Sequence, residues 1–484
     1  MRGLLTGTWM VATAAMLTAC GGGGDGSSPP PAPSATPTPS PVPVPGLTAC
    51  TLRSRQDWAA AQLREWYLFP ETLPASLDPS PYSTADAYVD ALTATARGQG
   101  RDRYFTYLTS IAEENAYYSS GSDVGLGVRF ATDPAQRRLF VLEAFEGSPA
   151  LNAGIDRGAE VLAIGTTTAN LRTVSAIATA EGLAGVEAAL GPDTDGTVLV
   201  LRIADAGGTR NVTVTKRAFE LTPVSSRYGS RIIDYSGHRI GYVNLRTFIS
   251  TADPALRNAF AQFRAQGVTE IVVDLRYNGG GLVSIAELLG DLMGGGRTPS
   301  DVFSYMTYRP EKSAQNRTHY FASQPQSIAP TRVAFIGTGS TASASELVIN
   351  GFIPYLGDRA VLVGGNTYGK PVGQIAIDRA ECDDRLRVIA FKTENSARAG
   401  DYYNGIASSV RVSCRSEDDI GYPLGDAREA MTRQALDFIV GGGCTPIGSA
   451  TAALRSDRVG VAAERALLMP DRPRTAQREV PGLF

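Results

Sequence analysis

The stretch "GTGSTASASELVING", residues 337–351, crowds four hydroxyls into six positions: Ser340, Thr341, Ser343 and Ser345. An apolar, strand-like run precedes it and an apolar, helix-like run follows. A serine at such a turn can act as a nucleophile, because the unpaired N–H groups and positive dipole end of a helix start favour developing negative charge. The same residues can simply cap the helix, and Ser343 with Glu346 fits a capping box. A nucleophilic serine also needs a proton acceptor. The chain has two histidines. His238 sits in a polar turn and His319 in a polar stretch, neither near an acid in a recognisable triad, so both read as surface or structural. Lysine occurs only at Lys216, Lys312, Lys370 and Lys392, nearly all other positive charge being arginine. A lysine serves as a base when burial lowers its pKa, and Ser–Lys pairs are an established alternative to Ser–His–Asp.

Two further stretches bear on the choice. In "VVDLRYNGGGLV" (residues 272–283) a buried strand ends in Gly279, Gly280 and Gly281. Glycines there permit close backbone approach and positive φ, which suits an oxyanion-stabilising turn, although a packing turn would also use them. "GGNTYGKPVGQ" (residues 364–374) follows the strand "RAVLVG" and carries Lys370. Lys392, in the strand-like "LRVIAFKTEN", is its rival. Ser345 lies about 200° around the helix from Ser343, so one of the two can face the glycine turn while the other packs inward.

The elements that must position these residues alternate. From about 225 to 440, strands such as "HRIGYVNLRTF", "TEIVVDLRYN", "RVAFIG" and "RAVLVGG" are interleaved with helices such as "ADPALRNAFAQFRAQG" and "SIAELLGDLMGGG"; this is an α/β layer arrangement. Residues 50–115 read as helical, with Trp58, Leu63, Trp66 and Tyr67 near one core-facing side and Asp57 as a plausible cap. Between them, about 118–220, short strands surround a helix at about 174–190 and end in a hairpin turning at Gly207-Gly208. This segment resembles a PDZ domain. Gly125-Leu126-Gly127 stands where that family has its carboxylate-binding loop, and "GSPALNAGIDRGAEVLAIG" matches its central strand–helix–strand segment. Small residues there let successive N–H groups converge on a peptide's carboxylate while the peptide adds a strand to the sheet edge.

Asp274-Leu275-Arg276-Tyr277-Asn278-Gly279-Gly280-Gly281, Ser343-Ala344-Ser345-Glu346 and Gly369-Lys370-Pro371-Val372-Gly373-Gln374, in this order, resemble the signatures of the C-terminal processing (tail-specific) peptidases. The resemblance covers roughly residues 50–440. It implies a serine peptidase in which Ser343 is the nucleophile and Lys370 the general base. Ala344 N–H with that of Gly280 or Gly281 would form the oxyanion hole, and Glu346 and Gln374 would support the dyad. The separation of 27 residues between Ser343 and Lys370 is slightly wide for the family, a difference the loop at 352–358 can absorb. Pro371 stands where glycine is common, and the segment from Cys382 to Cys414 reads as an embellishment. The implied fold is multidomain α+β: a helical lead-in (50–117), a PDZ-like β-rich domain (118–220), and an α/β peptidase core of the tail-specific protease type (221–444), followed by a C-terminal tail (445–484). The partner is a protein or peptide substrate whose C-terminus the PDZ-like domain binds; no cofactor or metal is required. A non-catalytic peptide- or lipid-binding envelope protein reusing the fold is the alternative, which the retention of both Ser343 and Lys370 argues against. The sequence closes on "REVPGLF", an apolar segment that such a groove could accept.

The first twenty residues resemble a bacterial lipoprotein signal: Arg2, an apolar run through Met16, and Leu17-Thr18-Ala19-Cys20. The resemblance implies lipidation of Cys20, membrane contact through that anchor alone, and a periplasm-facing place in the cell envelope, the outer membrane rather than the inner. Residues 21–49, rich in Gly, Pro and Ser, read as a disordered tether. The remaining cysteines, Cys50, Cys382, Cys414 and Cys444, are even in number and suggest two disulfides in an exported chain. Three pairings are open; Cys382–Cys414, bracketing one segment, and Cys50–Cys444, joining the ends of the folded part, are the expected pair. Their spacings match no zinc pattern. With a net charge of −3 and mixed signs, nothing points to nucleic acid.

Overall fold

The computed structural model describes residues 50–448 and 465–484. The expected signal, Cys20 and the tether lie outside the described residues. Helix α1 (Leu52–Trp66) begins earlier than its aromatic pattern suggests. Thr51 caps it by accepting from Ser54 N–H, and Asp57 instead pairs with Arg53 one turn away. Leu63 and Tyr67 are buried in a cluster with residues of helix α2 (Ala85–Leu92). The lead-in is not purely helical: Tyr107–Ser110 is a strand, and a helix at Ile111–Ser120 follows.

The β-rich unit contains β1 (Val128–Asp133), β2 (Arg138–Ala144), β3 (Glu160–Gly165), β4 (Val198–Asp205) and β5 (Gly208–Thr215), paired antiparallel in that order. Helix α3 (Val174–Ala189) covers the sheet and kinks at Gly182, whose φ of 71° lies in the left-handed region. The last hairpin closes at the pair Asp205–Gly208. Its two-residue turn is therefore Ala206-Gly207, one position earlier than expected.

The core is a six-stranded sheet formed by β6 (Ser230–Tyr235), β7 (His238–Asn244), β8 (Glu270–Asp274), β9 (Arg332–Gly337), β10 (Ala360–Gly364) and β13 (Val412–Arg415). β6 and β7 are antiparallel; the other pairings are parallel. The parallel strands are continuous apolar runs because both faces are covered. Ile271 and Val273 point into the cluster formed with helices α4 (Ala252–Ala265), α5 (Val283–Met293) and α6 (Ala344–Leu356), while Val272 points toward α7 (Ala430–Ile439). In register, Asp274 neighbours Ile336, which neighbours Val363. The carboxyl ends of β8, β9 and β10 thus open on one edge, the usual place for a ligand in an open α/β sheet. A second sheet holds β11 (Val372–Arg379) and β12 (Asp384–Glu394), and β12 also pairs with Tyr107–Ser110. The lead-in helices pack on these strands: Leu63 and Val89 share a cluster with Val372, Leu386 and Val388.

Two expectations are overturned. The disulfides are Cys50–Cys382 and Cys414–Cys444. Cys50 stands at the foot of α1, which packs on β12 and reaches Asp384 through Arg55. That places Cys50 at the β11–β12 turn, where Cys382 sits. Cys414 lies on edge strand β13, where Arg415 N–H donates to Thr445 carbonyl, so the chain leaving α7 returns to it. Residues 465–484, expected as part of a tail, are folded: β14 (Ala466–Leu467) extends the β-rich sheet beside β1, and α8 (Thr475–Glu479) follows. Among the described residues no helix is long and apolar enough to cross a membrane.

Non-reducing peptide mapping is expected to recover the Cys50–Cys382 and Cys414–Cys444 cross-linked fragments. Replacing Cys50 and Cys382 together by Ser removes a cross-link between residues 332 apart. This change is expected to lower the unfolding free energy by about 2–4 kcal/mol, read from urea denaturation.

Candidate active site

Three turns leave the carboxyl ends of neighbouring strands and meet. After β9, Thr338–Ser343 turns into α6, and its hydroxyls divide into separate roles. Thr341 Oγ1 donates to Leu275 carbonyl at 2.9 Å and is buried. Ser345 Oγ, also buried, donates to Asn278 carbonyl at 3.1 Å and so fastens the glycine turn to the helix. Ser340 N–H donates to Thr338 Oγ1. Ser343 differs from all of them: at φ 56°, ψ −114° it is a non-glycine residue in a region that L-residues avoid. Such a conformation costs of order 1–3 kcal/mol and persists only where the surroundings enforce it. A sharp, strained strand-to-helix turn of this kind also presents the nucleophile of α/β-hydrolases.

Glu346, three residues into α6, supplies the enforcement. Its carboxylate has no exposed surface. Oε2 accepts from the N–H of Ser343 at 3.0 Å and of Lys370 at 2.7 Å. Oε1 accepts from Gly369 N–H at 2.7 Å and from Thr367 Oγ1 at 2.5 Å. One carboxylate therefore joins the serine turn to the lysine loop. Burial pushes its pKa up, while the Thr367 hydroxyl and the three N–H donors oppose that shift by favouring the anion.

Lys370 is half-buried, and its Nζ donates to Gln374 Oε1 at 2.9 Å. Among the described residues no hydrogen bond joins this Nζ to Ser343 Oγ. Of the four lysines, all described, only Lys370 lacks an ion-pair partner: Lys216 pairs with Asp193, Lys312 with Glu65 and Lys392 with Glu394. Burial lowers the Lys370 pKa, with the Glu479 carboxylate the strongest influence holding it up. The Phe105 ring lies 5.1 Å from Nζ. Arg103 of the lead-in clamps the loop by donating to Tyr368 and Gly369 carbonyls at 2.7 and 2.6 Å. The histidines stand elsewhere, His238 against Glu270 at 2.7 Å and His319 against Asp291 at 3.1 Å.

The glycine turn faces Ser343 closely. A Cβ on Gly280, whose φ is 123°, would come within 2.8 Å of Ser343 Cβ, so a side chain there is excluded on both counts. Gly280 N–H, however, donates to Asn278 Oδ1 at 2.9 Å. The N–H that meets an outside carbonyl is that of Gly279, which donates to Glu479 carbonyl at 2.9 Å. Gly281 packs on Phe248, and Ala344 is buried at the first position of α6. The turn is braced from below by Arg276, which is buried and bonds Asp274, Asp418 and Glu429. In the β-rich unit, the N–H groups of Gly127 and Val128 both donate to the Phe484 oxygen, at 2.8 and 3.2 Å. A Cβ on Gly125 would come within 2.9 Å of the Phe484 carbonyl carbon, and Leu126 is buried.

Sequence reasoning gave no role to Thr367, Arg103, Phe105 or Asn278. Thr367 and Asn278 lie inside motifs already singled out. Arg103 and Phe105 lie more than 260 residues from the loop they hold, and no local pattern marks them. Among the described residues no cluster of His, Cys, Asp and Glu is arranged to hold a metal ion.

Comparison with known proteins places this chain among peptidases. A model described as peptidase family S41 matches residues 239–397. A carboxyl-terminal-processing protease of Picosynechococcus sp. (strain ATCC 27264 / PCC 7002 / PR-6) is 30% identical over 326 residues, covering 66% of this chain and 71% of that protein. The chloroplastic carboxyl-terminal-processing peptidase 3 of Arabidopsis thaliana is 28% identical over 303 residues, 60% of this chain and 54% of that protein. A crystal structure from Bacteroides fragilis NCTC 9343, described as an S41 protease, shares the fold with a TM-score of 0.63 at 21% identity, covering 79% of this chain and 97% of that one.

Glu346→Gln keeps the shape of the side chain but turns an NH2 group toward N–H donors. With at least one buried donor left unpaired, a loss of about 2–4 kcal/mol in urea denaturation is expected. An unchanged midpoint would show that the carboxylate does not hold the two loops together.

Proposed function

Because the chain belongs to the carboxyl-terminal-processing proteases of peptidase family S41, we propose that it is a serine endopeptidase cleaving protein or peptide substrates through an acyl-enzyme, with Ser343 and Lys370 as its dyad. The observation that carries the reading is the strained backbone of Ser343 at the head of α6, tied through Glu346 to the loop of the one lysine without an ion-pair partner. Ser343 Oγ attacks the scissile carbonyl carbon as its proton passes to neutral Lys370 Nζ. The tetrahedral oxyanion is held by Ala344 N–H and an N–H of the glycine run 279–281. Lys370 then returns the proton to the departing amine, leaving an ester on Ser343. Water, deprotonated by the same lysine, attacks that ester and restores the serine. Lys370 Nζ donates to Gln374 Oε1, and the lone pair of the neutral amine stays free to take the serine proton. For Gly280 to donate to the oxyanion, its bond to Asn278 must open.

The β-rich unit acts, in this reading, as a PDZ-like domain that recruits the end of a substrate chain. Its support is the pair of N–H groups at Gly127 and Val128 converging on the Phe484 oxygen, beside a β1 edge that accepts an added strand. Cys20 anchors the exported enzyme through lipid, facing the periplasm.

A serine-reactive phosphonate should label the native chain and fail on Ser343→Ala and Lys370→Ala; equal labelling of all three rejects the dyad and favours a binding protein. Each substitution should cut kcat/KM by about 10³-fold or more. Only neutral Lys370 accepts the serine proton, so activity should fall as pH drops through the lysine pKa. Burial places that limb below the ordinary value of 10.5; a limb at or above it would exclude Lys370 as the base.

A further inference from the structure

Residues 465–484 do more than cap a sheet. The free edge of β1 is covered twice by this segment. Ala466 and Leu467 pair with Thr132 and Ala131. Farther along, Phe130 N–H donates to Gly482 carbonyl at 2.8 Å, and Phe484 N–H donates to Val128 carbonyl at 2.9 Å. Phe484, the last residue of the sequence, is 3% exposed and joins the cluster of Leu126, Val128, Ile177 and Val186. This is strand addition to a sheet edge, with an apolar anchor in the groove beside α3.

The same segment then reaches the candidate active site. Glu479 carbonyl receives the Gly279 N–H, and a Cβ on Gly279 would lie 2.2 Å from the Arg478 carbonyl oxygen. The Glu479 side chain is buried, accepts from Tyr118 Oη at 2.9 Å, and favours the charged form of Lys370. Three arginines hold the rest. Arg472 pairs with Asp90 at 3.1 Å, Arg474 with Asp123 and with Asp193 at 2.9 Å, and the Arg478 guanidinium stacks 3.7 Å over the Tyr107 ring. They border a cleft of about 640 Å³ whose lining includes Asp86, Asp90 and Glu113, an acidic surface that selects basic residues.

We propose that residues 465–484 are an intramolecular occupant of the path a substrate takes from the groove to the glycine turn, and that a substrate gains entry by displacing them. The displacing ligand is a peptide of the same chemistry: an apolar, preferably aromatic, residue in the place of Phe484, and arginines six to twelve positions upstream, as Arg478, Arg474 and Arg472 stand to Phe484. This rests on the peptidase reading for the meaning of the path, and its test separates the two.

The test uses a fluorescein-labelled peptide, DRPRTAQREVPGLF, and the full chain carrying Ser343→Ala, with binding read by anisotropy. Adding Phe484→Ala to the chain weakens its own segment and should tighten peptide binding about tenfold or more. Arg474→Glu, which sets like charges against Asp123 and Asp193, should do the same without emptying an apolar site. Equal affinity in all three chains overturns the proposal, as does equal competition by an unlabelled peptide ending in Asp instead of Phe. Where the Ser343-intact chain cleaves fluorescein-casein, Phe484→Ala and Arg474→Glu should raise its kcat/KM about threefold or more; cleavage with no rise in either overturns the proposal. Should none of the Ser343-intact chains cleave casein while the affinities shift as expected, the peptidase reading falls and the intramolecular occupant stands.

Discussion

The site depends on a buried carboxylate that pairs with no cation among the described residues. Glu346 accepts from three backbone N–H groups and one hydroxyl, all donors fixed by the chain's path. Ionic partners on long side chains would leave the geometry soft. Backbone donors fix it, because moving any one of them means moving a turn. The strain at Ser343 persists for the same reason: its N–H is anchored to the residue three positions ahead, and the next strand's loop is anchored to the same two oxygens. Thr367 extends the chain of bonds outward, donating to Glu346 and accepting from Ile406 N–H at 2.8 Å.

Arginine does the opposite work below the glycine turn and beside it. Arg276 is held among Asp274, Asp418 and Glu429, and Arg157 of the β-rich unit reaches the same Asp418 at 2.7 Å. Arg129 and Arg246, both buried, share Glu143. Arg129 also stacks 4.8 Å from the Tyr277 ring, next to the glycines. Buried ion pairs add little net stability because desolvation offsets their attraction. Removing one partner, however, strands the other charge. Their effect here is on register: the β-rich unit and the glycine turn are tied through a shared carboxylate, Asp418, which meets both Arg157 and Arg276.

What could be read from the sequence was what a short window encodes. The serine turn, its capping glutamate, the glycine run and the alternation of strands and helices are local patterns. The structure brings Ser343, Glu346, Gly280 and Lys370 together at three neighbouring strand ends, as an open parallel sheet requires. What could not be read was decided by packing. The Cys50–Cys382 pairing follows from α1 lying on β12, a contact between residues more than 300 apart. Which glycine N–H stays available follows from where Asn278 turns its side chain. The Tyr107–Ser110 strand is too short for periodicity and is flanked by helices. Residues 465–484 carry little apolar pattern, because strand addition uses backbone groups that every sequence has.

Being part of the same chain changes the energetics of the segment at the site. A tethered ligand competes at an effective concentration on the order of millimolar, so contacts that would be weak in a separate peptide suffice to hold it. Its hold is also divided among places: strand addition and the Phe484 anchor at the groove, arginine–carboxylate pairs along the cleft, and one carbonyl on Gly279. A competitor that matches only the groove frees Phe484 while Arg472, Arg474 and Glu479 keep the rest in place. Loosening one end frees the glycine turn only part of the time, and clearing it fully requires contacts at both ends of the path. A peptide that is merely apolar at its end therefore binds without fully opening the site, and selectivity arises from the need to replace every part of the segment in turn.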